Sequence, residues 1–256
     1  HEGIFPNVVT YICILKACSS LGSLEIGKDI HVEMRLQGIM ENDNDVALGN
    51  TLVDMYAKCG ALVKAQEVLE KLPIRDAVSW SALIAGYTQV GKGHEALNCF
   101  ERMQREGISP DAVTFICILK ACGIAKDIGK GKQIHEDVVS RGLLKNDVIL
   151  GTALVDMYVK CGTLEKAQQV LKELHIRDVV SWVALIAGYS QSEKGYEALS
   201  SFAGMQRDNL YPDGVTFISI LKVCGSTGAV DKGRHIHVQI LSRDLLEKNV
   251  VLGTAL

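Results

Sequence analysis

The sequence is poor in aromatic residues and in proline, and it has no long apolar run. Aromatic side chains make up 5% of the 256 residues, and only 4 residues are proline. Scarce proline suits a chain built of helices, and an apolar content of 48% can fill a large core. No stretch of about 18 apolar residues occurs, so we expect no membrane-spanning helix and no membrane partner. Because the chain begins with His1 rather than Met, we expect it to be a segment of a longer protein.

Motifs of metal sites, cofactor sites and catalytic centres are also missing. The 8 cysteines include no CxxC pair. We therefore predict no metal, no cofactor, and reduced, mostly buried thiols in an intracellular compartment. The triplet HVE at His31 spells the HxE of zinc deaminases, but no PCxxC accompanies it, and the sister triplet at His135 reads HED. Phosphate-loop, dinucleotide and GxSxG signatures are absent as well. We predict that the chain is not an enzyme.

The chain is built from repeats of three kinds. Residues 77–111 return 102 positions later as 179–213, with 21 of 35 positions identical. Two copies of one unit on a fixed period indicate a structural module rather than an active site. A shorter unit and a longer unit also recur, and cut-off repeats lie at 1–7 and 250–256. The predicted whole units are 8–45, 46–76, 77–111, 112–147, 148–178, 179–213 and 214–249.

Each unit has the pattern of two helices. In residues 77–111, Trp80, Leu83, Ile84 and Tyr87 follow the i, i+3, i+4, i+7 spacing of one helix face, and a second apolar face comes after a glycine break. One unit carries too little apolar surface to fold alone, whereas stacked units bury a continuous core. The pattern therefore predicts an all-α fold, a right-handed superhelical α-solenoid of stacked helix-turn-helix repeats, as one array over residues 1–256. A single globular helical bundle is the alternative.

The repeats match one helical-repeat family in part and another over the whole chain. Tetratricopeptide repeats share Trp80-x2-Leu83, Tyr87 and Ala96-x3-Phe100, but the unit lengths of 31, 35 and 36 residues differ from a uniform 34. The segments SWSALIAGYTQVGKGHEALNCFERMQREGISPD, ILKACSSLGSLEIGKDIH and LVDMYAKCGALVKAQEVLEKLPIRD resemble the standard, long and short motifs of the pentatricopeptide repeat family. Alternation of the three lengths is typical of its plant PLS subgroup.

This resemblance implies a scaffold that binds single-stranded RNA in a mitochondrion or chloroplast, one repeat to one base. It implies base reading by the fifth and last residues of a repeat, and stacking of the base on the small apolar second residue. The base-reading residues would be Asn50, Asp76, Ser81, Asp111, Thr152, Asp178, Val183 and Asp213. The base-stacking residues would be Val9, Ala47, Val78, Val113, Ile149, Val180 and Val215. Helix capping by the polar residues and core packing by the apolar ones are the alternatives.

The chemistry of a terminal aspartate restricts the base it can read. A carboxylate only accepts hydrogen bonds, and among the bases only uracil and guanine carry an imino N–H on the pairing edge. By the resemblance, asparagine at the fifth position goes with pyrimidines and a small hydroxyl with purines. Asn50 with Asp76 then implies U. Ser81 with Asp111 and Thr152 with Asp178 imply G, and Val183 with Asp213 leaves the base undetermined.

The long repeats lack a polar fifth residue. They carry Ile12, Ile116 and Ile218 at this position. Because an isoleucine side chain cannot hydrogen-bond a base, we expect these repeats to act as spacers between the base-reading repeats and not to recognise a base themselves. Together the seven repeats imply the RNA pattern N-U-G-N-G-N-N. Lys58 and Lys160 are candidates for phosphate contact, which matters because an RNA binder usually has a basic surface and this chain has a net charge of −3.

In the PLS subgroup such arrays recognise C-to-U editing sites. The resemblance therefore implies single-stranded organellar RNA as the partner, together with a deaminase domain or other editing factors in the same chain or in a second protein. A solenoid of tetratricopeptide character that binds other proteins is the alternative function.

Overall fold

The computed structural model describes residues 6–39, 46–145 and 147–241, and this part of the chain is all-helical. The fold class predicted from the sequence, an all-α chain of paired helices, is confirmed. The described elements are α1 (Val8–Leu21), α2 (Leu24–Leu36), α3 (Val46–Lys58), α4 (Leu62–Lys71), α5 (Ala77–Gln89), α6 (Gly93–Arg105), α7 (Ala112–Ala125), α8 (Ile128–Ser140), α9 (Val148–Lys160), α10 (Leu164–Glu173), α11 (Val179–Gln191), α12 (Gly195–Arg207), α13 (Gly214–Thr227) and α14 (Val230–Leu241), with a 3₁₀ turn at Leu143–Lys145.

Each predicted repeat supplies a first helix and a second helix, and the turn between them is encoded locally. In the repeat 46–76, Gly60 takes a left-handed conformation with φ 76°, which costs glycine little. The N–H of Gly60 donates to the carbonyl of Ala57, and the N–H of Ala61 donates to that of Tyr56, so the last carbonyls of α3 are satisfied. Helix α4 then begins at Leu62 and packs against α3.

The chain divides into two compact units, His1–Ala125 and Lys126–Leu256. In the first unit, α1, α3, α5 and α7 pack side by side in chain order, and each of the first three also contacts the second helix of its own repeat. Trp80, Tyr56 and Phe100 are buried in this core. The division falls inside the predicted repeat 112–147, so the single array over residues 1–256 stays a prediction.

The second unit repeats the same packing. Helices α9, α11 and α13 lie side by side, and α10, α12 and α14 each pack on the first helix that precedes them. Trp182, Tyr158 and Phe202 are buried at positions that correspond to the aromatics of the first unit. No helix in the described ranges is long and apolar enough to cross a membrane.

Candidate nucleic-acid interface

Five repeats end in an aspartate that the structure describes, and each of these aspartates caps the first helix of the next repeat. Aspartate carboxylates accept the backbone N–H three residues along, which is the normal role of an N-cap side chain. The capped N–H groups belong to Ser79, Thr114, Leu150, Ser181 and Thr216, and their caps are Asp76, Asp111, Asp147, Asp178 and Asp213. Helix capping, one of the two roles weighed for these residues, is therefore present.

Capping does not exclude the second role, because the fifth and last residues of a repeat also meet. In the repeat 46–76, the side-chain amide Nδ2 of Asn50 donates to both carboxylate oxygens of Asp76, at 3.1 Å to Oδ1 and 3.0 Å to Oδ2. Asn50 is only 9% exposed, and its own Oδ1 is buried and has no partner among the described residues. The carboxylate of Asp76 thus fixes the orientation of the Asn50 amide, whose own oxygen stays a buried acceptor without a donor.

The charge of Asp76 is stabilised at this contact. Burial alone would raise the pKa of its carboxyl, but hydrogen bonds from the backbone N–H of Ser79 and the amide of Asn50 outweigh burial, so the pKa lies below the ordinary aspartate value. Asp76 is therefore an anion at neutral pH, and an anion accepts hydrogen bonds without donating any.

The same contact recurs in the second unit with a hydroxyl in place of the amide. The side-chain hydroxyl of Thr152 donates to Oδ1 of Asp178 over 3.0 Å. Both residues are half-buried. As in the pair Asn50–Asp76, 26 residues of chain separate the two partners. The predicted pairing of fifth and last residues is thus a direct contact in both short repeats.

In the standard repeat 77–111 the contact runs through a third residue. The hydroxyl oxygens of Ser81 and Thr114 lie 2.6 Å apart, and Thr114 Oγ1 donates to Oδ1 of Asp111 at 2.7 Å. Since Thr114 has one hydroxyl proton and the carboxylate accepts it, Ser81 donates to Thr114. Thr114 is fully buried. The sequence reasoning missed this residue, although a serine or threonine three positions after most terminal Asp residues was a visible signal.

The other standard repeat, 179–213, shows no such link. Its fifth residue, Val183, is half-buried and has no polar side-chain atom. Asp213 instead accepts from the backbone N–H and the hydroxyl of Thr216, at 2.8 and 2.6 Å. This repeat therefore offers a carboxylate without a polar fifth partner.

Four terminal aspartates keep one carboxylate oxygen available. In Asp111, Asp147, Asp178 and Asp213, every hydrogen bond to the side chain within the described ranges falls on Oδ1. Oδ2 receives none from these residues. A carboxylate held by one oxygen and open at the other can accept an N–H from a base edge while it continues to cap the helix.

The seven predicted stacking residues lie at the surface. Six of them are between 56% and 66% exposed, and Ala47 is exposed as well. Core packing, the alternative considered for these residues, is wrong, because each side chain points away from the core at the second position of its first helix. The residues are Val9, Ala47, Val78, Val113, Ile149, Val180 and Val215. The cut-off eighth copy, Val251, lies outside the described residues.

Two other features of the sequence acquire structural roles. Lys58 and Lys160, the candidates for phosphate contact, form ion pairs of 2.8 and 2.7 Å with the aspartates four residues earlier, so a phosphate would have to compete for them.

His31 Nδ1 lies 2.9 Å from the hydroxyl of Tyr56 in the next repeat, and its sister His135 makes the same contact. The HxE triplet at His31 is thus part of the packing between repeats.

Three family models match the chain. The model described as PPR repeat family matches residues 75–123, and the model described as Pentatricopeptide repeat domain matches residues 173–227. A third, described as PPR repeat, matches residues 9–39, 50–75 and 152–179. Together the matches cover well over half of the chain. The chain belongs to the pentatricopeptide repeat family.

Curated members of the family in Arabidopsis thaliana are similar along the whole chain. Pentatricopeptide repeat-containing protein At4g18520, chloroplastic, is 35% identical over 256 residues, which is 100% of this chain and 40% of the relative. Pentatricopeptide repeat-containing protein At1g03540 is 37% identical over 237 residues, which is 93% of this chain and 38% of the relative. The chain therefore spans about two fifths of the length of these relatives.

Solved structures share the fold. The pentatricopeptide repeat protein PPR10 from maize superposes with a TM-score of 0.64 at 20% identity, covering 99% of this chain and 40% of that chain. PPR10 in complex with an 18-nt psaJ RNA element superposes with a TM-score of 0.62 at 22% identity, covering 91% of this chain and 40% of that chain. At such identities the likeness concerns the fold alone.

Proposed function

We propose that this chain binds single-stranded RNA and reads its sequence, one repeat to one base, without catalysis of its own. The observation that carries the proposal is the contact between fifth and last residues. It is direct between Asn50 and Asp76 and between Thr152 and Asp178, and it bridges Ser81 to Asp111. Helix capping alone needs no polar partner 26 residues earlier in the chain.

The contacts present hydrogen-bond acceptors at the point where a base edge would lie. Oδ2 is open in Asp111 and Asp178, and Asp76 is an anion that only accepts hydrogen bonds. Acceptors match the imino N–H of uracil and guanine. The proposed target pattern is N-U-G-N-G-N-N, with U at the repeat 46–76 and G at the repeats 77–111 and 148–178.

The exposed second residues support the same arrangement. Each lies at the start of its first helix, three positions before the fifth residue on the same helix face, so a base held between neighbouring repeats would pack on apolar side chains. Membership of the family supports RNA as the ligand, since its member PPR10 has been solved with an 18-nt RNA element.

We further propose that the parent protein belongs to the PLS subgroup and recognises C-to-U editing sites in organellar RNA. Alternation of short repeats of 31 residues, standard repeats of 35 and long repeats of 36 or 38 supports the subgroup. Chloroplastic relatives such as At4g18520 support an organelle, either a chloroplast or a mitochondrion. A deaminase domain or other editing factors, in the same chain or in a partner, would supply the reaction.

The variant Asp111→Asn tests base reading. An amide can still cap α7 and can also donate to the ring nitrogen of adenine, so preference at the base facing 77–111 should move from G toward A. The measurement is the dissociation constant for four oligonucleotides that carry N-U-G-N-G-N-N and differ only at the first G. Asp147→Asn is the matched control, because its repeat has Ile116 at the fifth position, and it should leave the preferences unchanged.

Two outcomes contradict the proposal in different ways. If Asp111→Asn binds RNA with the original preference, the two-residue reading is wrong. If the unaltered chain binds none of the oligonucleotides at low salt, RNA binding itself is wrong, and the protein-binding solenoid becomes the better interpretation.

A further inference from the structure

The long repeats share a charged residue that the other repeats lack. The ninth residue is Lys16, Lys120 or Lys222 in all three long repeats. In the short repeats the ninth residue is an aspartate, Asp54 or Asp156, and in the standard repeats it is an alanine. Because the ninth residue is lysine only in repeats whose fifth residue is isoleucine, the pattern indicates that the long repeats have a different role from the short and standard repeats.

Helix geometry places this lysine in line with the positions that meet RNA under the proposed function. The second, fifth and ninth residues are spaced i, i+3 and i+7, which is one face of a helix. In α7 these are Val113, which is 58% exposed, Ile116, which is half-buried, and Lys120, which is exposed. At about 1.5 Å per residue, the lysine lies about 6 Å along the helix axis beyond the fifth position.

These three lysines also form no ion pair in the described part of the chain. Each is exposed, and none has a carboxylate within ion-pair distance in the part of the chain that the structure describes. Lys58 and Lys160 differ in this respect, because each is paired with the aspartate at the ninth position of its own repeat. A phosphate can therefore bind a long-repeat lysine without displacing an acidic side chain.

We propose that Lys16, Lys120 and Lys222 each bind one RNA phosphate, and that the long repeats hold the backbone while the other repeats read bases. The inference rests on the RNA binding proposed above. It gives a chain of net charge −3 a local source of phosphate contacts. It also accounts for an isoleucine at the fifth position, since a repeat that binds the backbone needs no polar group for a base.

The salt dependence of binding measures the number of such contacts. Each phosphate neutralised on a single strand adds about 0.7 to the slope of log affinity against log salt concentration. Three contacts should therefore contribute about 2 to the slope, and each should be worth roughly fivefold in affinity at 0.1 M salt.

The test is the triple variant Lys16→Gln, Lys120→Gln and Lys222→Gln, titrated with the N-U-G-N-G-N-N oligonucleotide between 50 and 300 mM salt. The slope should fall by about 2, while the preference for U and G at the reading repeats stays unchanged. The corresponding Lys→Arg triple should keep the slope. The matched control is Lys28→Gln, Lys132→Gln and Arg234→Gln, which removes three exposed charges from the second helices of the same repeats and should change the slope by less than half as much.

An unchanged slope in the first triple, with base preference intact, overturns this inference and leaves the proposed function standing. An equal fall in both triples overturns it too, because general charge rather than the ninth position would then govern binding. Failure of the unaltered chain to bind RNA overturns both proposals together. Circular dichroism and thermal unfolding of each variant establish that it is folded before binding is compared.

Discussion

Ser81 and Thr114 bring their hydroxyl oxygens to 2.6 Å of each other across 33 residues of chain, in a fully packed part of the first unit. Thr114 belongs to the next repeat, where its backbone N–H is capped by Asp111. The two candidate reading residues of the repeat 77–111 are therefore held together by a residue of the repeat 112–147. Under the proposed function, base reading by one repeat would therefore depend on the packing of its neighbour.

Replacing Thr114 with valine should weaken base discrimination at the repeat 77–111. The substitution keeps the shape and the capped backbone N–H, but it leaves the buried hydroxyl of Ser81 without its acceptor, so the free energy of unfolding should fall by about 1–2 kcal/mol. The ratio of dissociation constants for G and A at the matching base should move toward one.

Thr216→Val is the control for this prediction. It removes the equivalent hydroxyl bond to Asp213, but the fifth residue of that repeat is Val183, whose side chain cannot form a hydrogen bond. Stability should fall by less than in Thr114→Val, because no buried hydroxyl loses its acceptor, and base preferences should stay unchanged. Equal G-to-A ratios in Thr114→Val and the unaltered chain would assign Thr114 a purely structural role.

The sequence predicts the helices well because their apolar spacing and caps are local. It does not predict how the fifth and last residues meet. Thr152 reaches Asp178 directly whereas Ser81 needs Thr114, and that difference depends on the packing of neighbouring helices at the ångström scale. Nor does spacing decide whether a small apolar residue such as Val113 is buried or exposed, since the start of a helix can face the core or the solvent.

Removing the carboxylate of Asp213 should destabilise the second unit through loss of a helix cap. Asp213→Ala deletes two hydrogen bonds at the start of α13, and the expected cost is about 1 kcal/mol in the free energy of unfolding. Asp213→Asn should cost only a few tenths of that, because an amide oxygen also caps. Urea unfolding of both variants checks the difference, and an equal loss in the two would show that charge rather than capping matters.

The exposed apolar residues at the second position of the repeats should contribute to RNA affinity and little to stability. Ile149→Ser changes a side chain that is 66% exposed, so thermal unfolding should stay within about 1 °C. RNA affinity should fall by about tenfold, or about 1.4 kcal/mol, if a base packs on this residue. Val63→Ser is the control, because Val63 is 73% exposed on the second helix α4. Equal affinities for the two variants would remove Ile149 from the interface.

His31 should make the first unit sensitive to acid. Burial, together with the neighbouring charges of Lys64, Arg35 and Lys71, lowers the pKa of its imidazole to about 4. Protons therefore bind His31 more weakly in the folded chain than in the unfolded chain, where the pKa is about 6.5. The stability that the neutral ring contributes is complete above pH 6.5 and is lost as the pH falls from 6.5 toward 4.

His31→Gln should flatten this loss, because glutamine can still hydrogen-bond Tyr56 and does not titrate. The measurement is the urea midpoint at intervals between pH 7 and pH 4.5, compared with the unaltered chain. His94→Gln, at an exposed position on α6, is the control and should leave the pH profile in place. Parallel profiles for His31→Gln and the unaltered chain would mean that His31 has an ordinary pKa.

Two glycine-to-alanine substitutions should have opposite effects on stability. At Gly93, the first residue of α6, an added Cβ would lie 2.7 Å from the carbonyl oxygen of Ala121 and 2.9 Å from the backbone nitrogen of Ala125. Both atoms belong to the backbone of α7 and cannot rotate away, so Gly93→Ala should destabilise the chain by about 1–3 kcal/mol. At Gly225, inside α13, a Cβ meets no atom within 4 Å. Gly225→Ala should therefore stabilise the chain by about 0.5–1 kcal/mol through helix propensity. Thermal and urea unfolding report both signs, and a stabilising Gly93→Ala would show that α6 and α7 pack less closely than the contact requires.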